Sequence, residues 1–263
     1  LAMVVSSLPT SGGTLVDITG VNFPPLGTPS VDMQTALRVT YGPSGYEFNA
    51  INCHVVQTGT VVRCQTSPGW GTDHVWVVTV AGISSPPSSL SDGVATSYAR
   101  PQLDSCSGPG CRGASTSGYQ AIVLFGSNLY GPLIDVRYGK NDDKDGKHVG
   151  GLLEYNALFC SIMLEHEAIL CLTSPGTGGG ASMNYNGGFE WQIRVGEQTS
   201  AATLIRGTGY APPSLSAIDG EGSWDASTLG GQRVRLTGAN LPPLGLFRTV
   251  VSSTNGEQTF IAG

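Results

Sequence analysis

The sequence predicts an all-β protein built from repeated β-sandwich units. Glycine and proline, with 38 and 16 residues among 263, are as frequent as expected for a chain with many tight turns. Valine, isoleucine and aromatic residues fall in short alternating runs between these turn residues, which is typical of strands with one buried face. Segments also repeat at a domain-sized period, which indicates several copies of one fold.

The surface of these units is predicted to be poor in charge. Charged residues supply only 12% of the chain, about half of the share usual in soluble domains. All three lysines, Lys140, Lys144 and Lys147, lie in one short stretch. Such a surface favours a glycan coat or burial against neighbouring chains. The net charge of −6 argues against a nucleic-acid partner, because proteins that bind nucleic acids carry basic patches.

No apolar run reaches the length of a membrane-spanning helix, so we expect no membrane span in this segment. The opening residues Leu1–Val5 are too short for the apolar core of a secretion signal. If the protein is secreted, we therefore expect its signal to lie upstream, with this chain being a mature fragment or part of a longer protein.

Two blocks of sequence recur. A strand ending in Gly-x-Asn appears three times, with Gly20, Gly126 and Gly238 lying 106 and 112 residues apart. Residues 48–71 also align without a gap to residues 155–178, with nine of 24 positions identical. Alone, Leu152–Leu172, which overlaps the second of these segments, has the composition of a helix. Its counterpart is rich in valine, threonine and glycine, so we interpret both segments as β-hairpins.

Four of the six cysteines lie in these two hairpins, and the other two flank a separate turn. Cys53 and Cys64 are equidistant from Thr58-Gly59, a suitable two-residue loop, and Cys160 and Cys171 have the same spacing around His166. Partners on adjacent strands are close enough for a disulfide. We expect the pairs Cys53–Cys64, Cys160–Cys171 and Cys106–Cys111, the last closing a Ser-Gly-Pro-Gly turn. Because no Cys-x-x-Cys motif occurs, a redox-active or metal site is the weaker interpretation, and disulfides imply an oxidising compartment.

The repeated signature resembles the IPT/TIG family of immunoglobulin-like domains. It runs from a Gly-Gly-led strand ending in Gly-x-Asn to Tyr-Gly, the cysteine pair, Thr-Ser-Pro-Gly and a late strand that begins with tryptophan. The second unit departs from it by having Ser117-Gly118 in place of the Gly-Gly pair. The matching positions are Gly12, Gly13, Gly20, Asn22, Phe23, Tyr41, Gly42, Cys53, Cys64, Ser67, Pro68 and Gly69, then Gly126, Asn128, Tyr138, Gly139, Cys160, Cys171, Ser174, Pro175 and Gly176.

The resemblance implies tandem immunoglobulin-like β-sandwiches. We expect the first IPT/TIG-like domain at residues 1–100, a second with loop insertions at 101–213, and the N-terminal part of a third at 214–263. The third is too short for a whole sandwich, so either its remainder lies beyond this segment or another chain supplies strands to it. Very short linkers predict stiff coupling and a rod-like array.

Other candidate sites are weaker. Asn141, Asp143 and Asp145 match the first half of a calcium loop, but Leu152 stands where the bidentate glutamate belongs.

The histidines, including His74 and His166, are expected in solvated turns. Trp76 and Trp191 hold equivalent strand positions and are expected in the core, whereas the loop residues Trp70 and Trp224 are candidates for ligand or inter-module contact.

No Asn-x-Ser/Thr sequon occurs, but one Ser/Pro cluster is a candidate for O-glycosylation. It comprises Ser84, Ser85, Pro86, Pro87, Ser88 and Ser89. The sequence contains no nucleophile elbow and no phosphate-binding loop, so we expect no enzymatic activity and no cofactor.

The sequence therefore predicts an extracellular or cell-surface structural protein whose modules assemble with copies of themselves into a fibre or surface appendage. Its charge-poor surface and unfinished third unit support this interpretation. The alternative is an adhesion or receptor ectodomain that binds a protein or polysaccharide through its loops.

Overall fold

A computed structural model describes residues 7–27, 37–89, 95–140, 153–179 and 188–243, and the backbone of two further strands at 251–254 and 259–262. The calcium candidates Asn141, Asp143 and Asp145 lie outside the described residues. The described part of the chain is all-β and contains no helix. The segment with helical composition forms a strand hairpin, as its counterpart predicts.

Residues 1–100, the first unit, form two antiparallel sheets with strand orders β1-β5-β4 and β3-β2-β6-β7. The strands are β1 Leu15–Thr19, β2 Leu37–Gly42, β3 Phe48–Asn49, β4 Ile51–Gln57, β5 Val61–Gln65, β6 Val75–Val80 and β7 Ile83–Ser84.

Residues 101–213, the second unit, form sheets with orders β13-β14-β10-β8 and β12-β11-β15-β16, with β17 also pairing with β15 and a short parallel pair of β9 and β18. The strands are β8 Gln102–Ser107, β9 Arg112–Ala114, β10 Ala121–Leu129, β11 Asp135–Gly139, β12 Tyr155–Asn156, β13 Leu158–Leu164, β14 His166–Leu172, β15 Gly188–Val195, β16 Gln198–Thr199, β17 Thr203–Arg206 and β18 Gly209–Tyr210.

Residues 214–263, the third unit, contribute two antiparallel strand pairs, β19 with β20 and β21 with β22. Their bounds are β19 Ser214–Asp219, β20 Arg235–Ala239, β21 Val251–Thr254 and β22 Thr259–Ala262.

Alternation along the strands builds an immunoglobulin-like sandwich core in each of the first two units. In β1, Val16 and Ile18 are buried while their neighbours are exposed, because successive side chains of a strand point to opposite faces. The buried residues form two separate clusters, one drawn from residues 8–98 and one from residues 103–210. Trp76 and Trp191 are 0% and 1% exposed, so their predicted place in the core is confirmed.

An aromatic network explains why tyrosine and the Thr-Ser-Pro-Gly turn recur together. In the first unit, Tyr41 stacks on Trp76 with ring centroids 4.2 Å apart. Its hydroxyl accepts a hydrogen bond from the backbone N–H of Ser67 at 2.9 Å and lies 2.6 Å from the hydroxyl of Tyr98. Tyr98 in turn donates to the carbonyl of Ser67 at 2.7 Å. Two buried hydroxyls thus satisfy both backbone groups of the turn serine.

The second unit repeats this network with equivalent residues. Tyr138 stacks on Trp191 at 4.4 Å and accepts from the backbone of Ser174 at 2.9 Å. Tyr210 lies 2.8 Å from the Tyr138 hydroxyl and donates to the Ser174 carbonyl. Burial raises the pKa of Tyr210, as it does that of Tyr98, well above the ordinary tyrosine value, so both hydroxyls remain protonated donors. The two units therefore share a core arrangement as well as a strand plan.

The Gly-x-Asn repeat has a backbone cause. Asn22, Asn128 and Asn240 have φ angles of 63°, 58° and 56°, in the left-handed region that asparagine tolerates better than most residues. The preceding glycine of the second unit, Gly126, packs against the neighbouring strand, and a Cβ there would overlap the carbonyl of Gln102. Glycine is therefore needed for space at position 126, and asparagine suits the left-handed backbone two residues later, where the pairing of β10 with β14 shifts register.

His74 contradicts the expectation of a solvated histidine. Its side chain is 0% exposed, and the ring centroids of Phe48 and Tyr98 both lie 5.4 Å from its own. The equivalent residue of the second unit is Phe189, which is also buried. Neither ring nitrogen of His74 has a hydrogen bond of normal geometry. Burial lowers its pKa, and the backbone near Trp70 offsets this only in part, so the histidine fills an aromatic core position in its neutral form.

Candidate interface between the units

The loop that follows the Thr-Ser-Pro-Gly turn of the first unit reaches the second unit. Trp70 packs edge-on against Phe48 at 5.3 Å within its own unit and against Tyr130 of the second unit at 5.9 Å. Gly131 and Gly196 leave room for it, since a Cβ on either would lie within 2.9 Å of a Trp70 carbon. The candidate residue Trp70 is therefore at a contact between the units.

His166 lies at the tip of the β13–β14 hairpin and contacts the first unit. It has a φ of 70°, where its counterpart Gly59 has a φ of 73°. Its ring packs on Tyr130 with centroids 4.4 Å apart, and Nδ1 lies 2.9 Å from the hydroxyl of Thr10. The expectation that His166 occupies a solvated turn is wrong, because the hairpin tip points at the neighbouring unit.

Polar contacts complete the junction between the first two units. The side-chain oxygen of Asn128 accepts a hydrogen bond from the backbone N–H of Thr10 at 3.2 Å. Gln198, which is buried, donates to the carbonyl of Tyr98 at 2.9 Å. None of the contacts named here is an ion pair, so added salt should weaken them little.

The same segments meet at the next junction. The hydroxyl of Thr116 donates to the carbonyl of Leu241 at 2.9 Å. Thr116 is the counterpart of Thr10, and Leu241 directly follows Asn240, the counterpart of Asn128. The turn before the first long strand of one unit therefore contacts the Gly-x-Asn loop of the next unit at both junctions.

The linkers are held by the backbone on the N-terminal side of each junction. Ala99 donates to the carbonyl of Leu8 at 2.7 Å, and Ala211 donates to the carbonyl of Ala114 at 2.8 Å. The two alanines lie 112 residues apart, at equivalent positions of the repeat. Each linker thus leaves its unit as a bonded strand segment.

The structure contains the three disulfides that the cysteine spacing predicts. Two of them staple the hairpins β4–β5 and β13–β14, each with a Cα–Cα distance of 4.1 Å, and the third closes the local turn at 5.8 Å. The hairpin loop of the first unit has three residues, 58–60, where two were predicted, because a register shift pairs Gln57 with Val61. The pairs are Cys53–Cys64, Cys160–Cys171 and Cys106–Cys111.

The Ser/Pro cluster has both exposed and buried members. Ser84, Pro86 and Pro87 are exposed. Ser88 is only 8% exposed, and its hydroxyl accepts from the backbone N–H of Trp76 at 2.9 Å. The Ser85 hydroxyl is likewise engaged, accepting from the backbone of strand β6. Ser88 is therefore a wrong candidate for glycosylation in the folded protein, since its hydroxyl completes the hydrogen bonding of a core strand.

Two further features, one exposed side chain and one groove, bear on ligand binding. Trp224 is 89% exposed in the third unit, away from the contacts described above. An open groove of about 210 Å³ crosses the outer face of the second unit's sheet and was not predicted from the sequence. It is lined by Asp135, Arg137, Gln192, Arg194 and Thr199.

Within the described ranges, no group of three or more histidine, cysteine or acidic side chains is placed to hold a metal ion. No helix in that part of the chain is long and apolar enough to cross a membrane.

Comparison with known proteins identifies the first unit. Residues 2–92 match the IPT/TIG domain family. No curated protein gives a significant match to the chain. The matched segment contains the Gly-x-Asn loop, the disulfide-stapled hairpin and the Tyr41–Trp76 stack described above. Residues 2–92, in the first unit of the chain, are therefore similar to the IPT/TIG family of immunoglobulin-like domains.

Proposed function

We propose that the protein is a non-enzymatic extracellular structural protein whose tandem immunoglobulin-like modules assemble into a fibre or surface appendage. The observation that carries this proposal is the recurrence of one junction, in which Thr10 meets Asn128 and Thr116 meets Leu241. We propose all three units as members of the same family.

A recurring junction supports a stiff, regular array. Equivalent segments meet at both junctions, although the bonded atoms differ: the Thr10 N–H donates to the Asn128 side chain, and the Thr116 hydroxyl donates to the Leu241 carbonyl. Equivalent segments at successive junctions favour a similar rotation and translation from each unit to the next, as in repeat proteins. Contacts of Trp70 and His166 across the first junction restrain hinge motion there. Stiff, evenly spaced modules favour a structural role over a flexible tether.

The disulfides support a location outside the reducing cytosol. Three bonds and no free cysteine among the described residues fit an oxidising, extracellular compartment. We propose a glycan coat at the exposed members of the Ser/Pro cluster, on the hydroxyl of Ser84 and on Pro86 and Pro87 after hydroxylation of these two prolines. Mass spectrometry of peptides from the native protein is expected to find added sugar on the peptide that contains residues 84–87, and an unmodified peptide there would remove the glycan coat from the proposal.

Electron microscopy of native material tests the structural role. Regular filaments with a subunit repeat are expected. Native protein that remains monomeric across concentrations and ionic strengths would overturn the proposal.

A second function, binding by an adhesion or receptor ectodomain, is favoured by the groove of the second unit. Arg137 and Arg194 lie beside Gln192 and Thr199 there, a set that can bind an acidic or hydroxyl-rich ligand. A glycan and cell-surface array tests this alternative. Retention that is lost in Arg194→Ala or Trp224→Ala, with Ile83→Ser as an exposed control outside both sites, would support binding over assembly.

A further inference from the structure

The outer faces of equivalent sheets differ sharply between the two units. In the first unit, Asp17 of β1 and Arg63 of β5 are directly opposed and form an ion pair at 2.6 Å. The equivalent residues of the second unit are Val123 of β10 and Leu170 of β14, which are paired in the same register. A charged pair on one unit is thus replaced by an aliphatic pair on the other.

The replacement continues across the sheet. Relative to the first unit, leucine replaces the glutamines at the outer positions of the hairpin, and phenylalanine replaces a threonine. The exposed fractions of Phe125 and Leu164 are 39% and 54%. The outer apolar face consists of Ala121, Val123, Phe125, Leu158, Leu164, Leu170 and Leu172, where the first unit has Leu15, Asp17, Thr19, Ile51, Gln57, Arg63 and Gln65.

This outer apolar face has no charge at its centre. The sheet that carries this face has four strands, and their only two carboxylates are those of Asp104, in the edge strand β8, and Glu167, beside the hairpin tip. The opposite edge strand, β13, contains no charged residue and exposes Phe159 and Met163 by 79% and 63%. Natural sheets usually protect such edges with charge or proline. The face is therefore suited to contact with another protein surface.

We infer that the outer apolar face of the second unit packs face to face on the same face of a second copy of this chain. Two identical uncharged faces meet without like-charge repulsion, and a two-fold axis places aliphatic residues against aliphatic residues. A different partner would be expected to find charges that set its orientation, and the centre of this face has none. The inference deepens the proposed assembly and rests on it, since it names the lateral contact between arrays.

The size of the face predicts how strong the contact is. Three of the sheet's four strands form the face, since β8 places Ser107 and Ser105 beside Val123 and Phe125. With strands about 4.8 Å apart and a rise of about 3.4 Å per residue, three strands of about seven residues cover roughly 350 Å². Stable pairs bury about 800 Å² per partner, so one such contact is weak. Repetition along an array adds many weak contacts, which gives tight lateral assembly through effective concentration.

The first unit supplies the variant that tests this contact. Val123→Asp with Leu170→Arg recreates the Asp17–Arg63 pair at equivalent positions, where that pair is compatible with the fold. Leu164→Lys, at the position of Gln57, is a second and milder variant. Leu15→Asp with Gln65→Arg places the same two charges on the first unit and is the matched control.

Sedimentation velocity of the 263-residue chain over a wide concentration range gives the readout. The wild-type chain and the control are expected to associate as concentration rises, and both second-unit variants to associate at least about tenfold more weakly at unchanged melting temperature. Equal association of wild type and variants would overturn this contact while leaving assembly intact. A monomeric wild-type chain would also overturn it, and filaments in native material would then show that assembly uses other surfaces.

Discussion

At the scale of single residues, His74 shows how one core position differs between the units. Its ring lies among Tyr41, Phe48 and Tyr98, where the second unit has Phe189. Only one of these two side chains can be protonated. The first unit therefore carries a pH sensitivity that this position of the second unit lacks.

Acidification should destabilise the first unit through His74. Because its folded pKa is lowered, the unfolded chain binds the proton more readily as the pH falls below the ordinary histidine pKa of about 6.5. Stability is therefore full above that pH and is lost as the pH falls toward the folded pKa, with a slope of at most about 1.4 kcal/mol per pH unit. Urea unfolding at several pH values measures this slope.

The variant His74→Phe copies the second unit and is expected to flatten the pH dependence between neutral pH and pH 5. His54→Phe, at an exposed position of the same unit, serves as the control for replacing a histidine by phenylalanine. An unaltered slope in His74→Phe would show that the histidine is not the titrating group.

At the scale of elements, a hairpin closed by a disulfide recurs in the first two units with the same local geometry. Both hairpins have a residue of positive φ directly before the first cysteine, Asn52 at 52° and Phe159 at 51°. The register shifts at the same place in both. The two hairpins therefore share a bulge and a disulfide at equivalent positions.

Removing the second hairpin's disulfide should weaken the unit without unfolding it. The loop between Cys160 and Cys171 is short, so Cys160→Ala with Cys171→Ala is expected to cost about 2–3 kcal/mol in unfolding free energy. The sheet contacts of β14 with β10 remain. Urea denaturation measures the loss, and the equivalent pair in the first unit, Cys53→Ala with Cys64→Ala, should show a loss of similar size. A loss confined to one unit would contradict an equivalent role for the two disulfides.

At the scale of the whole molecule, the junction between units is built from residues that lie far apart in the sequence. Thr10 and His166, which are in contact, are separated by 156 positions. The junction contacts come from turns and hairpin tips, whereas the cores come from strand interiors. Mutations at the junction should therefore change the coupling between units while preserving each fold.

Asn128→Gly together with Trp70→Ala should uncouple the first two units. Glycine accepts the φ of 58° at position 128, so the backbone there is kept while the hydrogen bond to Thr10 is lost. Trp70→Ala removes the ring contact with Tyr130, and with it the contact with Phe48 inside the first unit. The lost hydrogen bond alone is expected to cost about 1 kcal/mol of coupling. NMR relaxation should show the two units tumbling with one correlation time in wild type and with separate times in the variant.

The matched control is Asn22→Gly. It changes the equivalent asparagine of the first unit, which has a φ of 63°. Its relaxation is expected to match that of wild type. Unchanged relaxation in Asn128→Gly with Trp70→Ala would mean that the named contacts do not hold the units together.

Much of the fold could be predicted because its signals are local or repeated. The alternation in β1, the equivalent tryptophans and the cysteine spacing each report a strand position within a few residues. The repeat also indicates strands in Leu152–Leu172, whose composition alone resembles that of a helix. The candidate site was predicted less well. The loop position of Trp70 indicates a candidate for an inter-module contact. Its partner Tyr130 cannot be predicted, because no short-range pattern marks a contact across 60 residues.

The sequence by itself determined the all-β class, the disulfide pairing and the strand that each tryptophan occupies, because periodicity and spacing act along the chain. Tertiary structure alone decided that His74 is buried, that Ser88 bonds to a core strand and that His166 meets Thr10. These environments depend on which loops the folded sheets bring together. A polar residue is assigned to solvent by its own chemistry, and only packing against distant neighbours reverses that assignment.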